Sequence, residues 1–60
     1  MKLEEEAAAV TRLLAGKVVR IIRRHRDAEL LVEFTDGARL FIDGKLDGLE
    51  LSVTGVQDPN

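Results

Sequence analysis

Arg20, Arg23, Arg24, His25 and Arg26 form the one cluster of like charge that invites a chemical role. Guanidinium forks match phosphate oxygens, so this segment could hold a nucleic-acid backbone. No aromatic residue is interleaved to stack on bases. Arg20 and Arg24 also have carboxylates within reach if the chain forms the hairpin described below. A solvated, ion-paired strand is therefore the plainer expectation, and nucleic-acid binding through Arg20, Arg23, Arg24 and Arg26 is the alternative.

His25 is the one histidine. A general base needs a nucleophile or substrate group in reach and an orienting partner, and only Asp27 is nearby in sequence. Asp43-Gly44-Lys45-Leu46-Asp47-Gly48 has the outline of a calcium loop, with Asp43, Asp47 and Gly48 at its first, fifth and sixth positions. Lys45 at the third position and Thr54 at the twelfth are wrong for the ion, so a turn with two Asp-Gly pairs is expected instead. Thr11, Thr35, Ser52 and Thr54 carry hydroxyls, but none has a base beside it. No phosphate loop, nucleophile elbow, dinucleotide glycine pattern or paired zinc ligands are present. Neither an enzyme nor a cofactor is expected.

The elements that position these residues follow from periodicity. Leu3, Ala7, Val10 and Leu14 recur at helical spacing, with Leu13 on the flank and Glu5, Ala8, Arg12 and Ala15 opposite. Glu4, Glu5 and Glu6 suit the positive end of a helix dipole, and Gly16 suits the position after the last turn. A helix is predicted over about residues 3–15. After Gly16 the apolar period falls toward two, with β-branched Val18, Val19, Ile21 and Ile22 leading. Strands are predicted over about 17–25, 28–35, 38–43 and 49–54, with a loose tail over 55–60. The fold class is α+β: an N-terminal amphipathic helix packed on one face of a four-stranded antiparallel β-meander, in one domain over 1–60.

Charge and hydrophobicity set the expected register. An Arg26-Asp27 loop would pair Arg24 with Glu29, Ile22 with Leu31, Ile21 with Val32 and Arg20 with Glu33. A loop of Thr35-Asp36-Gly37, a type I turn closed by a left-handed glycine, would pair Glu33 with Arg39, Val32 with Leu40 and Leu31 with Phe41. The first face then carries Val19, Ile21, Val32, Phe34, Leu40 and Ile42, among others, and lies under the helix. The second carries Val18, Ile22, Leu31 and Phe41, framed by charged rows. One short helix cannot cover both faces.

That second apolar stripe, with its charged rim, has the anatomy of an interface. Sixty residues bury a small core, and association is a common remedy. The leading expectation is a non-enzymatic interaction or structural module. It would form a homodimer through Val18, Ile22, Leu31 and Phe41, or with edge strands also pairing. A further protein partner is compatible with the same stripe. No apolar run approaches the roughly 18 residues of a membrane span. The acidic start is unlike a secretory signal and there is no cysteine, so the cytoplasm is the expected location.

Overall fold

The computed structural model describes residues 2–56, so 57–60 of the expected tail lie outside the described residues. One helix, α1 (Lys2–Leu14), precedes strands β1 (Val19–Arg26), β2 (Glu29–Phe34), β3 (Arg39–Lys45) and β4 (Gly48–Thr54). The strands form one antiparallel sheet in the order β1-β2-β3-β4. This is the αββββ meander that the periodicity predicts.

α1 ends as its sequence dictates. The Ala15 amide donates to the Thr11 carbonyl at 2.8 Å, and Gly16 follows with φ +80. The helix covers the sheet more thinly than the stripe predicts. None of its described residues is buried; Ala9, Val10 and Leu14 are half-buried, while Leu3 and Leu13 are exposed. Close approaches join neighbouring strands, and α1 makes no comparable approach to any strand. Ala7, in the middle of the stripe, is exposed. Val32 and Leu40, expected beneath Val10 and Leu14, are accordingly half-buried.

The middle hairpin has the expected register. Glu33 pairs with Arg39, Val32 with Leu40, and Leu31 with Phe41. The Phe34 amide donates to the Ala38 carbonyl at 2.8 Å, the Gly37 amide donates to the Phe34 carbonyl at 3.1 Å, and Gly37 has φ +94. The Asp36 carboxylate accepts from the Ala38 amide at 3.0 Å and closes the turn.

The first hairpin departs from expectation. Its loop is Asp27-Ala28, and Arg26 rather than Arg24 pairs with Glu29. β1 carries an irregularity between Val19 and Ile21 and another between Arg23 and Arg26. At each, β1 has one residue more than β2. Such a bulge re-aims the side chains beyond it. Ile22 therefore opposes Val32, Ile21 opposes Glu33, and Arg23 opposes Leu31.

The third hairpin also differs. Asp43-Gly44 is not a turn; β3 runs on to Lys45, which pairs with Gly48 around Leu46-Asp47. Gly44 serves close packing instead. Its amide donates to the Ala28 carbonyl at 2.6 Å, and a Cβ there would lie 3.3 Å from that of Ala28.

Candidate interaction surface

Paired residues share a face, so the observed register defines the two faces anew. On the first face β1 contributes Val19 and Ile22, β2 Leu30, Val32 and Phe34, β3 Leu40 and Ile42, and β4 Leu49, Leu51 and Val53. None of these ten carries a charge. Phe34 is 7% exposed and Ala38, beside it, is buried. The rest of the face is half-buried or open, with Ile22 at 58% and Leu49 at 69%.

The second face is charged. Glu33 accepts from the Arg20 guanidinium at 3.1 Å, and the Arg39 guanidinium lies 3.9 Å from the same oxygen. The Glu33 side chain is 15% exposed. Such long side chains lay their apolar stems along the surface while their heads stay in water. Leu31, on the central strand β2, is only 7% exposed among them, and Phe41 opposite it is half-buried.

The four residues expected to form an apolar stripe do not lie together. Leu31 and Phe41 remain neighbours, but Arg23 occupies the place expected of Ile22. Ile22 lies on the uncharged face, and Val18 is exposed just ahead of β1. The cause is the first bulge in β1, which turns Ile22 over. The uncharged first face, expected to be closed by the helix, is the larger open apolar area.

The basic segment is exposed along the whole of β1. Arg20 has its carboxylate, as expected. Arg24 does not meet Glu29; its guanidinium donates to the Asp27 carbonyl, and at 3.5 Å to that of Arg26. Arg23 has no carboxylate within ion-pair distance among the described residues. His25 is exposed. The Lys17 ammonium pairs with Asp36 and, with the Ala38 amide, holds that carboxyl below the usual range.

A shallow cleft of about 190 Å³ lies between Arg26, Ala28, Glu29, Asp43, Gly44 and Lys45. It is open to solvent, smaller than typical ligand pockets, and its charges balance. Among the described residues no group of three or more His, Asp or Glu side chains is placed to hold a metal ion. No described helix is long and apolar enough to cross a membrane. Comparison with protein-family models, curated proteins and solved structures finds no match to the chain.

Proposed function

We propose that the chain is a small, non-enzymatic, cytoplasmic interaction module that works as a homodimer and covers its uncharged sheet face on association. The half-open state of that face carries the proposal. A monomer exposing Ile22 and Leu49 beside half-buried Val32, Leu40 and Ile42 leaves a contiguous apolar area in water.

The size of the surface supports the same reading. The chain exposes 4926 Å². A folded monomer of 6.6 kDa is expected to expose about 3,900 Å². The excess, on the order of 1,000 Å², is shared between the thinly covering helix and the open sheet face. The radius of gyration, 12.1 Å, also exceeds the roughly 10 Å expected of 60 packed residues.

The test is mass against concentration, for the wild type and for Leu49→Glu. Leu49 is already exposed, so the charge leaves the monomer's fold intact. The wild type should be a dimer and the variant a monomer. A dimeric variant would move the interface elsewhere.

A second proposal, weaker, rests on the full exposure of β1 and on Arg23. It assigns the chain to nucleic-acid binding through Arg20, Arg23, Arg24 and Arg26. Binding that weakens steeply with salt and is lost in Arg23→Ala/Arg26→Ala would establish it.

A further inference from the structure

We infer that the second copy adds at the free edge of β4, antiparallel, about a two-fold axis at Leu51. This rests on the self-association proposed above and specifies its geometry.

Hydrogen-bond direction alternates along a strand, and two bonds fix the phase here. The Phe34 amide donates to Ala38, and the Gly44 amide to Ala28. Ala38, Leu40, Ile42 and Gly44 therefore turn their backbone groups toward β2. Arg39, Phe41 and Asp43 turn theirs toward β4. Their partners Thr54, Ser52 and Glu50 face back to β3. That leaves Leu49, Leu51 and Val53 holding their N–H and C=O groups out at the sheet edge, where β4 has no further strand among the described residues. The same three side chains lie on the uncharged face.

A two-fold axis at Leu51 satisfies all three at once. Leu51 exchanges bonds with its own copy, and Leu49 exchanges with Val53 in both directions. On the uncharged face Leu51 meets Leu51, and Leu49 meets Val53. On the other face Glu50, the one charge in β4, meets Ser52. An axis at Glu50 would set that carboxylate against its copy. An axis at Ser52 would leave Leu49 facing Gly55, beyond the strand.

The other edge is closed to this. A two-fold axis at Ile22 would set Arg20 against Arg24 and Ile21 against Arg23, and two bulges interrupt the ladder that β1 could offer. Pairing β1 with β4 of the next copy would be head-to-tail and would not give a two-fold dimer.

An axis normal to the sheet keeps both uncharged faces on one side, so the two become one continuous surface of eight strands. Strand-to-strand twist of about −20 to −25° carries on across the seam. The pairing satisfies the backbone groups of the β4 edge and covers the β4 margin of the uncharged face, where Leu51 packs on Leu51 and Leu49 on Val53.

Amide hydrogen exchange on the wild-type protein, with its mass measured in the same solution, is the test. In the dimer the amides of Leu49, Leu51 and Val53 should exchange at least about 100-fold more slowly than at dilutions where the protein is monomeric. Leu51→Pro should stay folded, since proline is tolerated where the N–H faces outward, and should lose the dimer. A dimer whose Leu49, Leu51 and Val53 amides exchange freely would overturn the β4 edge and leave self-association standing. A wild type that stays monomeric would overturn both.

Discussion

β1 and β4 are the two edges of one sheet, and they differ in every property that governs strand addition. β1 is bulged twice, and four of its eight residues are arginine. β4 pairs with β3 without irregularity and carries one charge, Glu50, tied to Lys45 at 3.4 Å. β1 has the features by which natural sheets block a passing strand, and β4 lacks them. The difference makes the basic cluster legible without a ligand. Charge and bulges at one edge leave the other as the place where the proposed second copy would join.

The sharpest way to break the comparison is proline. Ser52 turns its amide toward β3, one residue from Leu51, which turns its amide outward. Ser52→Pro removes a ladder bond and leaves its partner carbonyl unpaired, so it should be the more destabilising of the two and should unfold so small a domain. Leu51→Pro should keep the far-UV circular dichroism of the sheet. Equal effects of the two would mean that the backbone phase assigned to β4 is wrong.

Charge insertion comes next. Leu49→Glu on β4 should abolish the dimer, whereas Ile22→Glu, also exposed but on β1 and away from the β4 edge, should weaken it less. Sedimentation of the two variants side by side reads the contrast. A dimer lost only in Ile22→Glu would exchange the roles of the edges.

How much of this was legible in sequence follows the strength of local signals. The middle hairpin was readable because Asp36-Gly37 sits between two cleanly alternating runs, and the glycine has the positive φ that its turn requires. β1 was not. Its residues come in doublets, Val18-Val19, Ile21-Ile22 and Arg23-Arg24, rather than alternating. Doublets mark a strand whose period is broken by bulges, and a fit to perfect alternation turned Ile22 to the wrong face. The same fit placed Arg24 opposite Glu29. At the far end two Asp-Gly pairs competed for one turn. Gly44 lost because its contact with Ala28, in the loop between β1 and β2, is invisible locally. The thin cover from α1 has a plainer cause. Periodicity finds the stripe, but Ala7 in its middle gives it little to bury.

Smaller effects sharpen the account of how the β1 edge is held. Gly37→Ala should cost on the order of 1 kcal/mol by thermal melting, because the strain of a Cβ at positive φ acts even in open space. Its turn anchors the start of β1, since the Thr35 amide donates to the Val18 carbonyl at 2.9 Å and Asp36 pairs with Lys17. The Asp36 carboxyl is held low when folded, so its contribution is present above its unfolded pKa of about 3.9 and is lost as pH falls through the lower folded value. Asp36→Asn should therefore show a shallower loss of stability on acidification than wild type. Identical acid limbs would mean that the pair with Lys17 does not form in solution.

If this chain completes itself with a second copy, sedimentation equilibrium of the wild type, from low to high micromolar concentration, will show it. The predicted result is twice the mass of one chain, with dissociation only on dilution; a single-chain mass across the whole range would contradict it.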